Sequence, residues 1–390
     1  MHKVLILDAH QRSALAATRS LGKKGISVIT ADETEHTLAG YSKYCTGKFT
    51  YPSPYVAPDD FVNTVKRACT QHGVTVMFPM SDITMHVILK HRAELEGIHI
   101  PCTTFGTFDS LADKCRLVDL AKRTGVPTPL TYCVRSKGDL EALYSDLTFP
   151  VVLKPCRSVA YVDGRLVGAS VCYARSVSEV RERMQQSKVL CGQPFLVQEF
   201  IPGIGQGIFA LYDQGRPVVF FAHRRLREKP PSGGVSVLCE SVEVDSRLRE
   251  MAERILGSVH WHGVAMVEFK ISYDGAPYLM EVNGRFWGSL QLAVDAGVDF
   301  PWLLYRLAIG ERLEEAYGYK CGVRCRWLLG DLDHLYLVFK NRSWPNGGSS
   351  SKWKAVLEFL RFFDGSTVYE VNRLDDPKPF LLELKRYVRA

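Results

Sequence analysis

Strand and helix signals alternate with little interruption over the first hundred residues, and this alternation restricts the fold more than any other feature of the chain. "KVLILD" (3–8) is a buried-strand run, "RSALAATRSLGKKG" (12–25) has a helical period stopped by Gly25, and "ISVITAD" (26–32) is a second strand ending in an acid. "DDFVNTVKRACTQHG" (59–73) is another amphipathic helix, followed by the strand "VTVMFPMSD". Apolar strands spaced by helices of about 10–15 residues pack as parallel βαβ units, because each crossover lays its helix on the sheet. "FDSLADKCRLVDLAKRTGVPTP" (108–129) reads as one long helix ended by Gly125, Pro127 and Pro129, which closes the first unit near residue 107.

A parallel sheet of this kind looks Rossmann-like and raises the question of a dinucleotide. The turn after the first strand is "DAHQRSALA", without the G-x-G-x-x-G that lets backbone approach a pyrophosphate. Asp32, an acid at a strand end, has an ordinary use as a turn or cap residue. A dinucleotide-dependent oxidoreductase is therefore disfavoured.

From about residue 149 the pattern changes. "FPVVLKP", "GASVCYA", "FLVQEFIPG", "GIFALYD" and "RPVVFFAHRRL" are strands with few helices between them, which suggests an antiparallel sheet. After a helix at "SRLREMAERILGSV" (246–259), "VAMVEFKIS" (264–272) and "APYLMEVNG" (276–284) form a hairpin through "YDG". Residues 311–390 are basic, aromatic and interrupted by Gly and Ser, and they read as a helical appendage with a mobile loop at "NGGSSSKW".

A length of 390 residues predicts two or three structural units rather than one core. The formal charge of +7 is spread along the chain without a basic cluster, which suits an anionic small molecule and argues against a nucleic-acid partner. The eleven cysteines are scattered, and the closest pair is "CGVRC", so a CxxC motif is absent. With a strand pattern at the start in place of a signal peptide, they are expected to be reduced thiols in a cytoplasmic protein. No apolar run approaches the ~20 residues needed to cross a bilayer, so no membrane association is expected.

The chemistry concentrates in the hairpin. In "MEVNGR", Glu281, Asn283 and Arg285 fall on alternate positions and share one face of a strand. A turn near Asp274 and Gly275 sets Glu268 beside Glu281, where two like charges repel unless a cation lies between them. Two readings fit: a solvent-facing hairpin whose acids pair with Lys270 and Arg285, or two carboxylates and an amide oxygen around Mg²⁺. Lys154 ends the apolar strand "VVLKP", where a solvated lysine has little reason to be, and Lys114 starts a helical stretch after Asp113. Bound phosphates would explain both. "LVQEFIPG" (196–203) can bridge two lobes and offer backbone groups to an adenine edge, or can be an ordinary strand and turn.

Taken in order, Lys114, "VLKP", "QEFIPG", an acid strand and "MEVNGR" resemble the ATP-grasp superfamily, whose members include D-alanine–D-alanine ligase, biotin carboxylase and carbamoyl-phosphate synthase. The resemblance covers roughly residues 1–310. It implies an α/β and α+β chain: a Rossmann-like pre-ATP-grasp domain (1–107), a two-lobed ATP-grasp domain (108–310, with a mobile lid lobe at about 130–200) and a small C-terminal extension (311–390). It further implies ATP and Mg²⁺, with Mn²⁺ as a substitute. By this resemblance Lys114 and Lys154 would hold the α/β-phosphates, and the hinge Gln198, Glu199, Phe200 and Ile201 would grip the adenine. Glu268, Glu281 and Asn283 would coordinate Mg²⁺. Arg285, Lys154 and Arg225 would be the catalytic cations facing the transferred phosphoryl group. Two departures stand out. The stretch "PGIGQG" lacks the acid that commonly holds the ribose, leaving Gln206 as its substitute, and the loop "CRSVAYVDGRLVGAS" is long and poor in glycine, with Arg157 and Ser158 as candidate phosphate contacts.

Such chemistry phosphorylates a carboxylate to an acyl phosphate, which an amine then attacks, with no nucleophilic cysteine required. "FAHRRLREKPPSGGVSVLCES" (221–241) supplies a cationic strand end, His223, Arg224, Arg225 and Arg227, then a loop with Ser232, Gly233 and Gly234. It would clamp a substrate carboxylate or phosphate, or would serve only as a solvated basic edge. It resembles a branch of carboxylate–amine ligases, which leaves the substrate open. Ser289 begins a helix suited to an anion, and Phe286 and Trp287 are read as pocket walls. In "GDLDHL", Asp331, Asp333 and His334 fit a helix cap better than a metal site. The leading reading is an ATP-dependent ligase joining a carboxylate to an amine, an amino acid or small peptide, in a homodimer. The alternatives are a bicarbonate-using carboxylase and a nucleotide binder without turnover.

Overall fold

The computed structural model describes residues 2–162, 165–168, 171–231, 233–315, 318–340, 352–362 and 365–389. Its first sheet joins β1 (Lys3–Ile6), β2 (Ser27–Asp32), β3 (Cys45–Thr50) and β4 (Val76–Phe78) in the order β3-β2-β1-β4, all parallel. Helices α1 (Arg12–Lys23) and α2 (Pro58–His72) make crossovers that the apolar spacing requires, and α3 (Asp82–Lys90) follows β4. β3 escapes a reading by apolar runs because "CTGKFT" is an edge strand with every second residue exposed.

The single helix expected over 108–129 is two, α4 (Phe105–Ala112) and α5 (Lys114–Thr124). Asp113 causes the break: its Oδ1 accepts the N–H groups of Cys115 (3.0 Å) and Arg116 (3.2 Å), which makes it the N-cap of α5. Gly125, with φ +68°, ends α5 in the left-handed conformation that glycine takes without strain.

A second sheet holds β5 (Thr131–Val134), β6 (Val151–Pro155), β9 (Cys172–Ala174) and β10 (Phe195–Glu199) in the antiparallel order β5-β10-β6-β9, with the hairpin β7 (Val159–Val162) and β8 (Arg165–Gly168) beside it. Val151, Leu153, Phe195 and Val197 share a small core with residues of α6 (Lys137–Leu143), α7 (Val177–Gln186) and α8 (Lys188–Gly192). These helices are more than the sequence suggested. α7, for example, is set by Ser176, whose hydroxyl accepts the Glu179 N–H.

The third sheet carries the chemistry. β11 (Gly203–Asp213), β12 (Arg216–Lys229), β13 (Val235–Val242), β14 (Gly263–Ser272) and β15 (Pro277–Asn283) run antiparallel in the order β15-β14-β11-β12-β13. Both faces are buried. Ile208, Ala210 and Tyr212 pack into one core with α9 (Ser246–Ser258), while Phe209, Leu211 and Phe221 enter another with α10 (Leu290–Ala296) and α11 (Phe300–Ala308). The β14–β15 turn closes with Ser272 N–H donating to the Ala276 carbonyl at 2.9 Å.

The C-terminal residues are not simply a helical appendage. β16 (Arg324–Arg326) and β17 (Thr367–Tyr369) extend the third sheet past β13. Three-residue strands are too short to show a period, which is why they were not legible. Around them lie α12 (Leu328–Lys340), α13 (Lys352–Phe359) and α14 (Lys378–Arg389). Buried Arg19 of α1 donates to Asp376 Oδ2 (2.9 Å) and the Val371 carbonyl (2.9 Å), so this segment is tied back to the first sheet's helices. The expected mobile loop lies outside the described residues except for Lys352 and Trp353. No helix among the described residues is long and apolar enough to cross a membrane.

Candidate functional site

A cavity of about 430 Å³ opens between the second sheet and the third. Lys154 and Val152 of β6 line one wall, and Glu268, Lys270 and Glu281 of the β14–β15 hairpin line the other. Glu268 and Glu281 are direct cross-strand partners, as the hairpin predicted. The register slips by one residue between Glu268 and Phe269, and this bulge brings Met280 into the cavity wall beside Glu281. Asn283 Nδ2 donates to Glu281 Oε1 at 2.9 Å, which leaves the amide oxygen facing Arg285 Nη2 at 3.3 Å. One face of β15 thus carries the carboxylate and the amide, and Arg285, two residues past the strand's end, brings its guanidinium to the amide.

The two carboxyls are tuned in opposite directions. Burial pushes Glu268 up, and Arg225 only partly offsets it while the charge on Glu281 adds to it. Burial would raise Glu281 too, but Lys114, the Asn283 amide, Lys154 and Arg225 together outweigh it and hold that carboxyl down to about 2. Lys114 Nζ stands 3.7 Å from Glu281 Oε2. Two adjacent acids with an amide oxygen are a hard-oxygen donor set, and their mutual repulsion is what a divalent cation relieves. The residues present fit Mg²⁺.

Lys154 is 9% exposed, and burial lowers its ammonium to about 8 despite the attraction of Glu281. A buried cation without a directly bonded carboxylate among the described residues fits an anionic ligand such as a phosphate. Arg225 bridges Glu228 (Nη1–Oε1 2.8 Å) and Glu268, and also donates to the Gly234 carbonyl at 3.1 Å. Gly205 of β11 makes room for it, since a Cβ there would lie 3.2 Å from Arg225 Cδ.

The cationic strand end is divided by the pleat and by two register shifts in β12. His223 and Arg225 line the cavity. Arg224 turns away to Glu240 (2.6 Å), and Arg227 makes a bidentate pair with Asp331 (2.7 and 2.7 Å), so neither belongs to a substrate clamp. The same shifts bring Glu228 into the cavity wall, which no simple alternation would foresee. Gly233 and Gly234 line the cavity as expected, and Ser232 lies outside the described residues. Trp287 and Ser289 line it too, with Ser289 Oγ 3.3 Å from His223 Nδ1. Burial lowers His223 to about 3, so its ring is neutral. Phe286 is not a pocket wall: it is 2% exposed and packs edge-on against Phe78 in the core.

Of the hinge, Glu199, Phe200 and Ile201 line the cavity. Gln198 does not; its Nε2 donates to Thr131 Oγ1 at 2.9 Å, anchoring β10 to β5. Gln206 does not either, because β11 presents Gly205 to the cavity and alternation turns Gln206 to the opposite face. Arg157 is held by Asp109 and Asp113 (3.1 Å to the latter), and it lines a small neighbouring pocket with Ser158 rather than the main cavity.

Arg285 lines the cavity, but its guanidinium is held by both oxygens of Asp82, at 2.9 Å each. Asp82 begins α3, so this pair locks the third sheet onto the first. Arg12 at the start of α1 also reaches the cavity, stacks on Trp327 at 4.0 Å and pairs with Glu370. Asp82, Arg12, Glu228 and Lys270 were missed as site residues. Asp82 and Arg12 lie in plain helix starts, and nothing local marks them. In "GDLDHL", Asp331 is fully buried against Arg227 and Arg326, Asp333 pairs with Lys229, and His334 Nδ1 donates to the Glu228 carbonyl at 2.6 Å. All three have structural partners, as expected, but they lie inside α12 rather than at a cap, bonded to the side chains and carbonyl of β12 and β16.

Residues 192–330 match the family model described as "ATP-grasp in the biosynthetic pathway with Ter operon". The carbamoyl phosphate synthase large chain of Methanospirillum hungatei is 24% identical over 346 residues, covering 85% of this chain and 31% of that one. The D-aspartate ligase of Enterococcus faecium is 24% identical over 218 residues, covering 51% of this chain and 50% of that one. The chain therefore spans a third to a half of the length of these curated relatives. The crystal structure of an L-amino acid ligase from Bacillus licheniformis superposes with a TM-score of 0.63 at 16% identity, over 80% of this chain and 75% of that one. That likeness is one of fold.

Proposed function

We propose, for a chain that carries an ATP-grasp domain, that the cavity binds ATP with Mg²⁺ and couples a small-molecule carboxylate to an amine, releasing ADP. The observation that carries this reading is the cross-strand pair Glu268–Glu281 with Asn283, facing a buried Lys154 across the cavity. When bound, Mg²⁺ would neutralise charge on the polyphosphate. Glu268, Glu281 and the Asn283 oxygen would hold it. Lys154 and Lys114 would bind phosphate oxygens, while the backbone of Glu199–Ile201 would meet the base. Arg225, held between Glu228 and Glu268, is oriented before any ligand arrives, which lowers the cost of organising charge around a transferring phosphoryl group. Arg285 would face the same group, with Asp82 fixing its plane. The γ-phosphoryl would pass to the substrate carboxylate, and the amine would displace phosphate from the acyl phosphate. The D-aspartate ligase among the curated relatives supports an amino acid as one substrate.

The test is ADP release from Mg²⁺-ATP with pooled amino acids or dipeptides, run with and without hydroxylamine. Hydroxylamine intercepts an acyl phosphate, so one pool should give hydroxamate and thereby name the carboxylate. ATP binding without pool-dependent ADP would leave a nucleotide binder and end the ligase reading. ADP formation that depends on bicarbonate alone would replace it with carboxylation.

Lys154 gives a second prediction. Its ammonium deprotonates near 8, so phosphate affinity should be full below that pH and weaken above it, by up to about tenfold per pH unit. Calorimetry of ATP binding between about pH 7 and 9.5 should also find protons taken up near pH 8. A flat profile would place Lys154 outside the phosphate site.

A further inference from the structure

Three thiols converge where α5 meets the second sheet. Cys115 sits in the first turn of α5, Cys133 in the middle of β5, and Cys156 one residue past the end of β6. Cys115 Sγ lies 3.0 Å from Cys156 Sγ and also meets the Cys133 thiol. The convergence is built into the sheet. Cys133 faces Leu196 across one ladder and Leu196 faces Lys154 across the next, so Cys133 and Lys154 point to the same side of the sheet. Cys156, two residues beyond Lys154, returns to that side. Val118 and Leu196 pack around the sulfurs.

A carboxylate completes the group. An Asp113 oxygen and the sulfurs of Cys115 and Cys156 all lie within 4.8 Å of one another. That carboxylate already caps α5 and meets Arg157 at 3.1 Å, so its orientation is fixed in advance. Arg157 would also offset part of the negative charge of three thiolates.

We propose that Cys115, Cys133, Cys156 and Asp113 form a binding site for a thiophilic divalent cation of the Zn²⁺ class, separate from the carboxylate site at Glu268 and Glu281. Asp113, Cys115 and Cys156 already lie within reach of one ion, and Cys133, whose thiol meets Cys115, would close a tetrahedral set of structural type as the fourth ligand. Binding exchanges three thiol protons for one ion, three S–H bonds breaking as three S–metal bonds form, with no change of oxidation state. The clasp joins the residue next to Lys114 to the strand end that follows Lys154. It therefore fixes the spacing of the two lysines, although the site stands whether or not the cavity binds ATP.

The test uses the reduced full-length chain, stripped of metal. Titration with Co²⁺ should give thiolate-to-cobalt charge-transfer absorption that saturates at one equivalent, with about three protons released per ion. Zn²⁺ should displace the Co²⁺. Cys133→Ser and Cys156→Ser should each weaken Zn²⁺ binding by more than about tenfold in competition with a chromophoric chelator. Glu281→Gln and Cys321→Ser should leave it unchanged. Absence of the charge-transfer band in the parent chain would overturn the proposal, and that reading does not depend on how any variant folds. So would binding lost in Glu281→Gln but retained in Cys156→Ser, which would place the ion at the carboxylates.

Discussion

Glu281→Gln is expected to lower ATP-dependent ADP release by about 100- to 1,000-fold, the loss typical when one preorganised charge partner of a transition state is removed. Glu281 is held down to about 2, so the charge that the amide deletes is present throughout the neutral range. The substitution is nearly isosteric, and neither Lys114 at 3.7 Å nor Asn283 at 2.9 Å needs to move. The loss should therefore reflect chemistry rather than packing. Two measurements separate the causes. The Mg²⁺ concentration for half-maximal rate should rise, and the variant should stay folded under assay conditions although its unfolding midpoint falls, because a carboxylate that Lys114, Asn283 and Lys154 hold ionised stabilises the fold at neutral pH. Turnover close to the parent at saturating Mg²⁺ would take the pair out of the metal site and restore the surface-hairpin reading.

Asp331→Ala should be the most destabilising single change in the C-terminal segment, at about 3–5 kcal/mol. Its carboxylate is fully buried and takes Arg227 through two bonds of 2.7 Å and Arg326 through one of 2.6 Å. Arg326 is itself 1% exposed and cannot reach water when its partner goes. It keeps the Phe359 carbonyl at 2.7 Å, a weak bond to that of Arg361 and the faces of the Phe359 and Phe362 rings, none of which carries a neutralising charge. The penalty is that of an unpaired buried charge, not the net worth of the bridge. Asp333→Ala is the contrast: it loses a partly solvated pair with Lys229 and the Tyr387 hydroxyl at 2.6 Å, together about 1–2 kcal/mol. Equilibrium unfolding in denaturant reads both. Equal, small losses would mean that Asp331 is not the anchor of β12, β16 and α12, and would reopen a ligand role for "GDLDHL".

The two experiments probe different things that one strand does. β12 carries His223 and Arg225 to the cavity and Arg224 and Arg227 to ion pairs outside it. The sequence shows four basic groups in five positions but not which way each points. Alternation would separate 223 and 225 from 224, and the shifts after Arg225 break that rule for Arg227 and Glu228. A bulge is a matter of how two strands match in length across a ladder, and one strand's residues do not record it. The helix over 108–129 failed for a local reason instead. "DK" within a helical period is unremarkable until Asp113 folds back on Cys115 and Arg116.

By itself the sequence determined the parallel first sheet, the hairpin and the pairing of Glu268 with Glu281. These depend on period, turn chemistry and neighbouring residues, all of which act over a few positions. It also placed Lys154 against the cavity, because a lysine ending an apolar strand has few other uses. Only the tertiary structure decided what lies across from these groups. Asp82 holds Arg285 from 203 residues away, and Arg12 reaches Glu370 over 358. Nor could the sequence alone bring Cys115, Cys133 and Cys156 to one point, since their spacing there follows no metal-binding pattern. Such contacts form because sheets and helices pack face to face, and packing joins residues whose separation along the chain carries no signal.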